Sequence, residues 1–328
     1  MQLPRVLLVI GKGGVGRSTL CAALGEVFAA RGERTLLLET ADAEVFGGWY
    51  GGGPVGYKGR DLKGDDLLHA ISLSPGEAIR EYLMRQVRFR LLYRMVFGNR
   101  PMRSFLDAVL GLSDLITMGK VADLERETRS DPAGGTATLA WDRIIVDMPA
   151  TGHGMSMLGA PWAMAELTRV GPLHRNAVWV QELLDDPQRS ALIVAGWAED
   201  LPVTEAVESI NKMGKEGLPR PRITVLAGLP EPALDADLRP SLEVLSKLDE
   251  ERMPAGLRDA VQAMGGRLEL LDRCQSFVKR LADAAPDADS WQLPRTGPEL
   301  SPIERVDKLA GLLGQFLATG DADSESEQ

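Results

Sequence analysis

The sequence predicts an α/β protein: a doubly wound, mostly parallel sheet covered by helices on both faces. Three observations carry that expectation. Short apolar, β-branched runs recur along the 328 residues and alternate with stretches rich in Ala, Leu and Glu. The connections between the runs are long enough for crossover helices, which parallel strands require. The first apolar run passes through a glycine-rich turn directly into the first helical stretch.

That first unit is the most informative part of the chain. Val6-Leu7-Leu8-Val9-Ile10 reads as a buried strand and Leu20 to Ala30 as a helix. Between them lies Gly11-Lys12-Gly13-Gly14-Val15-Gly16-Arg17-Ser18-Thr19, with four glycines between positions 11 and 16. Strand, glycine loop and helix form the context a phosphate-binding loop needs. Glycines allow positive φ, so backbone N–H groups can close around phosphate oxygens. The helix start adds free N–H groups and a positive dipole end. Gly11 and Gly16 occupy the two glycine positions of G-x-x-x-x-G-K-[ST], and Ser18 is placed to ligate Mg²⁺. One position departs: Arg17 stands where that motif has lysine, and Lys12 places a second cation inside the loop. The plainer alternative is a glycine-rich turn that binds nothing.

The remaining elements follow in order. Thr35–Glu39 is the second strand, leading into Thr40-Ala41-Asp42-Ala43-Glu44. A glycine-rich stretch from Gly47 to Gly64 reads as a mobile loop. Leu68–Leu73 alternates as a third strand, and residues 76–126 read as two or three helices. Within them Arg80, Arg85, Arg88, Arg90, Arg94, Arg100 and Arg103 form either a solvated face or a surface for an acidic partner. Met84, Met95, Met102 and Met118 read either as core or as the lining of an adaptable apolar groove. Residues 130–136 form a loop, and Arg143–Asp147 is a buried strand with an acid at its C-terminal end, where a metal-assisting carboxylate belongs. Pro149–Gly154 continues as a small-residue loop able to respond to a γ-phosphate. Ala191–Ala195 and Ile223–Leu226 are core strands separated by a helix over Pro202–Lys212. Helices are expected at Leu268–Leu281 and Pro302–Leu317, with a last strand at Trp291–Pro294.

Composition narrows the function classes. The net charge of −10 argues against bulk nucleic-acid binding. No apolar run approaches the roughly 18 residues of a membrane span. Met1–Arg5 runs straight into the first strand, leaving no room for a signal peptide, so the expected location is the cytoplasm. Cys21 and Cys274 are the only cysteines and form no C-x-x-C; both read as buried helix residues. The acidic tail from residue 319 to residue 328 is expected to be disordered.

At this point the residues resemble a known family. Gly11–Ser18 is similar to the deviant Walker A loop, G-K-G-G-V-G-K-[ST]. That loop is shared by the chromosome-partitioning and Min ATPases, the nitrogenase iron protein, and ArsA with its tail-anchored-protein targeting relatives. Asp147-Met148-Pro149-Ala150-Thr151-Gly152-His153 resembles D-T-A-P-T-G-H, the switch II of the ArsA and targeting branch. Supporting likeness extends through Glu81-Tyr82-Leu83, Gly111–Leu115 with Gly119-Lys120, Leu183–Pro187 and Leu201–Glu205. The resemblance implies one P-loop NTPase domain over residues 1–318 with a helical insertion at 76–126. It implies ATP and Mg²⁺ as cofactors, Gly11 to Thr19 as the nucleotide cradle, and Ser18 and Asp147 at the metal. It further implies a nucleotide-dependent dimer, with itself or with an ArsA-like paralogue, in which Lys12 reaches the partner's site as an arginine finger does. The insertion would carry an apolar client groove.

The departures are equally specific. Arg17 is a planar fork in place of a compact ammonium. The family's water-positioning aspartate falls on Ala41 in strict register, leaving Asp42 one residue later as the candidate. Val225-Leu226-Ala227-Gly228 lacks the adenine-contacting asparagine, and no cysteine cluster is present for arsenite. The expected function is an ATP-binding dimeric switch with weak or conditional ATPase activity toward a protein partner. The alternatives are a non-hydrolysing subunit paired with an intact paralogue, and a targeting factor for apolar membrane-protein segments.

Overall fold

The computed structural model describes residues 3–40, 44–86, 111–130, 136–230, 240–241, 244–245, 254–297 and 299–325. Ten strands and nine helices are named here in chain order. The strands are β1 (Val6–Gly11), β2 (Thr35–Glu39), β3 (Arg60–Asp61), β4 (Leu68–Ser72), β5 (Thr128–Arg129), β6 (Thr138–Leu139), β7 (Arg143–Ala150), β8 (Ser190–Trp197), β9 (Ile223–Leu229) and β10 (Asp289–Pro294). The helices are α1 (Arg17–Ala30), α2 (Phe46–Trp49), α3 (Pro75–Gln86), α4 (Leu112–Glu125), α5 (Thr151–Thr168), α6 (Pro172–Asp185), α7 (Asp200–Glu216), α8 (Ala255–Ala284) and α9 (Pro302–Glu325).

Eight strands form one sheet in the order β10-β9-β8-β1-β7-β2-β4-β3. Every pairing is parallel except β3 with β4. The doubly wound, mostly parallel architecture read from the sequence is therefore the one observed. β1 is central and buried along its whole length, as a strand covered on both faces must be. Its alternate side chains enter two cores. Leu7 and Val9 join Leu37, Ile145, Ile193 and Val225 beneath α1 and α9. Val6, Leu8 and Ile10 join Leu38, Val146, Met148 and Val194 beneath α4 to α8.

The edge of the sheet opposite the glycine loop is held by charge. Arg5, just before β1, and Arg189, just before β8, both donate to Glu125 at the end of α4, at 2.6 and 3.0 Å. Burial alone would raise the Glu125 pKa, but the two guanidinium hydrogen bonds outweigh it and the carboxyl sits below its ordinary range.

Several elements differ from the sequence expectation, each for a local reason. The Gly47–Gly64 stretch is organised rather than featureless. It contains α2 and β3, with the Glu44 carboxylate accepting from the N–H groups of Val55 and Gly56 and with Phe46 fully buried. The expected loop at Pro149–Gly154 is instead the end of β7 and the first turn of α5. Glycine costs a helix about 1 kcal/mol per residue relative to alanine, and burial of Met155, Met157 and Leu158 overrides that preference. Helices α5 and α6 have no counterpart in the sequence reading. α8 begins at Ala255, well before Leu268; its N-terminal half is largely exposed, and the buried residues Cys274, Phe277 and Leu281 lie near its end.

The last helix corrects the tail expectation. α9 continues past Leu317 to Glu325, so most of the acidic tail is helical rather than disordered. Val306, Leu309, Leu313 and Leu317 anchor the helix against the α1 face, and propagation from an anchored turn needs only one hydrogen bond per added residue. In the 76–126 stretch, α3 and α4 are described and residues 87–110 lie outside the described residues. Ala78 and Ile79 of α3 and Leu115, Met118 and Val121 of α4 belong to the same core as the sheet.

Candidate functional site

The site forms where β1 ends. Gly11 is the last residue of β1, Lys12 to Gly16 form the turn, and α1 begins at Arg17. Gly14 and Gly16 have φ of 86° and 87°, left-handed values that an L side chain adopts only at a cost. Gly16 is the N-cap of α1 and makes no side-chain cap. The first N–H groups of α1 are thus left for a ligand, in the arrangement that binds anions at helix starts. A Cβ at Gly13, Gly14 or Gly16 would meet no atom within 4 Å, so the loop has open space around it.

Two adjoining strands add the carboxylates. β7 pairs with β1 in parallel, setting Val9 opposite Asp147 at the same edge of the sheet. The Ser18 hydroxyl donates to Asp147 Oδ2 at 2.5 Å. Asp147 is buried, and its Oδ1 has no partner. Burial raises its pKa, while the Ser18 hydrogen bond and the nearby Arg17 charge oppose the rise without cancelling it. β2 pairs with the other side of β7 and sets Glu39 opposite Asp147. Thr40, the next residue, donates its hydroxyl to the Asp147 carbonyl at 2.8 Å.

The two loop cations bond to different elements. Arg17 donates through Nη1 to the carbonyl of Met148, on the β7 segment that follows Asp147. Lys12 donates through Nζ to Glu205 Oε1 of α7 at 2.7 Å. That ion pair is partly exposed, with side chains 30% and 36% accessible, so solvent weakens it.

Beside the loop lies a cavity of about 240 Å³. It is lined by Gly14, Gly16 and Thr19, by Trp197 and Ala227 near the C-terminal ends of β8 and β9, and by Arg295, just after β10. The Arg295 guanidinium lies 5.9 Å from the Trp197 ring centroid. Ligands of open α/β sheets bind in such a crevice beyond the carboxyl ends of the strands.

Of the predicted residues, Gly11 to Thr19 and Asp147 are brought together. Asp42 lies outside the described residues, as do Arg88, Arg90, Arg94, Arg100, Arg103, Met95 and Met102. Met118 is fully buried core, whereas Met84 is 46% exposed. Glu39, Glu205, Trp197 and Asp114 carry no local sequence signal that marks them as site residues. Asp114 of α4 accepts from Ser156 at 3.0 Å and pairs with His153 Nε2 at 3.0 Å, tying the first turns of α5 to α4.

With this geometry in hand, comparison with known proteins decides the family. The model of the ArsA-type anion-transporting ATPases matches residues 4–176, more than half of the chain. The chain belongs to the ArsA ATPase family. ATPase BagA of Mycobacterium tuberculosis is 29% identical over 235 residues, covering 69% of this chain and 66% of BagA. Arsenical pump-driving ATPases of Acidiphilium multivorum and Escherichia coli are each 25% identical, covering 72% and 70% of this chain. The ArsA-like chain matches only 41% and 40% of the length of those two proteins. Among the described residues, no helix is long and apolar enough to cross a membrane.

Proposed function

We propose that this ArsA-like chain binds Mg·ATP at Gly11 to Thr19, dimerises around the nucleotide, and acts as a slow switch on a protein partner in the cytoplasm. The observation that carries this reading is the Ser18–Asp147 pair at the mouth of a glycine loop with two left-handed residues. A hydroxyl and a carboxylate in that relation are the usual protein donors to a nucleotide-bound Mg²⁺. The donor set fits the ion: both groups are hard oxygens, and Asp147 keeps a buried oxygen without a partner. Ser18 and Asp147 would hold the ion, whose charge would offset that developing on the phosphate. The cavity beside Trp197 would take the base, with the indole as a stacking surface.

The reading assigns Lys12 to a partner's phosphates and Asp42 to the attacking water. In the single chain Lys12 is held by Glu205, so dimer formation would exchange that carboxylate for phosphate oxygens. The partner is a second copy or an ArsA-like paralogue. Arsenite is a poor cargo here, because Cys21 and Cys274 are buried in different helices and soft-metal capture needs several thiolates together. Nucleic acid is no better a partner for a chain of net charge −10. A targeting role for apolar segments would place the client on helices within 76–126.

A second reading is favoured by Arg17. Its guanidinium is spent on the Met148 carbonyl, which suits a subunit that binds nucleotide but leaves hydrolysis to a paralogue with an intact loop lysine.

Three measurements test these readings. Calorimetry is expected to show Mg-dependent ATP binding that is lost in Gly16→Val; absence of ATP and ADP binding up to millimolar concentration would refute the central reading. Light scattering is expected to show ATP driving a monomer to a dimer, abolished by Lys12→Ala and favoured by Glu205→Gln. A wild-type chain that stays monomeric with ATP and a paralogue present contradicts the dimer. Turnover by the isolated chain should be slow. Arg17→Lys should raise it about 10-fold, since a well-aligned charged hydrogen bond contributes about 1.5–3 kcal/mol and about 1.4 kcal/mol is a factor of ten. An unchanged rate in Arg17→Lys would favour the paired-subunit reading.

A further inference from the structure

Glu39 is a buried acid at the end of β2, only 2% exposed. It is the direct cross-strand neighbour of Asp147, which is 5% exposed. The two side chains lie on the same face of the sheet. Leu37 and Ile145, two residues earlier on the same strands, both pack in the core under α1, and strand side chains alternate with a period of two. Glu39 and Asp147 therefore both face the start of α1, where Ser18 sits.

Each carboxylate is half satisfied. Glu39 Oε1 accepts from the backbone N–H groups of Val45 and Phe46, at 2.5 and 3.0 Å. Asp147 Oδ2 accepts from Ser18. Glu39 Oε2 and Asp147 Oδ1 are both buried without a partner. A lone buried oxygen of this kind is costly, and two on adjacent acids are costlier because their charges repel. Hydrated Mg²⁺ answers both deficits, since its charge offsets the pair and its waters donate to free carboxylate oxygens.

We propose that Glu39 is a second acidic group of the Mg²⁺ site, holding a water of the hydrated ion through Oε2 while Oε1 anchors the chain at Val45 and Phe46. Glu39 is a positioning residue in this role. Through Val45 and Phe46 it joins the ion to the start of α2. The inference rests on the nucleotide reading above and adds to it a residue that the deviant Walker A pattern does not contain.

The test is calorimetric titration of Mg²⁺ into the full chain saturated with ADP, for wild type, Glu39→Gln and Asp147→Asn. Glutamine keeps an acceptor oxygen for Val45 and Phe46 but has no charge, so a purely structural Glu39 would leave Mg²⁺ affinity unchanged. The expected result is a loss of about 10-fold or more in Mg²⁺ affinity for Glu39→Gln, with ADP affinity in EDTA as in wild type. A smaller loss in a folded Glu39→Gln chain overturns the proposal. If Glu39→Gln does not fold, Glu39→Asp serves instead: it keeps the charge but is one methylene shorter, and the same 10-fold criterion applies. Failure of wild type to bind ADP defeats the nucleotide reading itself. Wild-type binding with an unaffected Glu39 variant defeats only this inference.

Discussion

The structure depends on how closely β1 and its neighbours approach at the edge where the chain turns into α1. Gly11 pairs with Ala195 of β8, and a Cβ at Gly11 would lie 2.3 Å from the Ala195 carbonyl oxygen. Only glycine lets the strand stay paired to its last residue and then turn. That contact fixes where the loop begins, and the parallel register with β7 fixes Asp147 beside it. Ser18, one residue into α1, can then reach Asp147. The loop is thus a product of sheet register more than of any single side chain.

From this edge, polar contacts lead outward. Thr40 bonds the Asp147 carbonyl and joins the end of β2 to β7. Arg17 bonds the Met148 carbonyl. A few residues on, His153 and Ser156 meet Asp114, a buried acid on α4. Lys120, further along α4, pairs with Glu81 of α3 at 3.0 Å. A ligand that moved β7 would therefore act on α4 and α3 through hydrogen bonds, not only through apolar packing. α4 and all but the first residue of α3 lie within residues 76–126, the insertion that the family resemblance expects to carry a client groove. Discrete polar links of this kind are suited to two-state behaviour, because each is either made or broken.

Much of this was legible in the sequence. The run Val6–Ile10 followed by four glycines specifies strand, loop and helix, and the apolar run ending in Asp147 marks the strand that sets a carboxylate beside the loop. Other parts were hidden for physical reasons. Helix α5 is masked by Gly152, Gly154 and Pro161, residues of low helix preference that packing overrides, and α6 by Gly171-Pro172, which reads as a turn although proline suits the first position of a helix. Glu39 reads as an ordinary strand end; its place beside Asp147 emerges only when β2 is laid against β7. Glu205 is 193 residues from Lys12 in sequence, and nothing local announces their contact. Trp197 and Arg295 meet across strands β8 and β10, which are separated by β9. Long-range pairings of this kind belong to topology, and topology is the part of a fold that local patterning specifies least.

The central claim is that nucleotide binds at the β1–α1 loop and is felt along β7 and α4. Hydrogen exchange of the full chain, with and without Mg·ATP, tests it most directly. Slowed exchange is expected in three separate segments: residues 11–19, residues 147–156 and α4. Unchanged exchange at residues 11–19 with saturating Mg·ATP would contradict the site, and protection confined to that loop would contradict the path to α4.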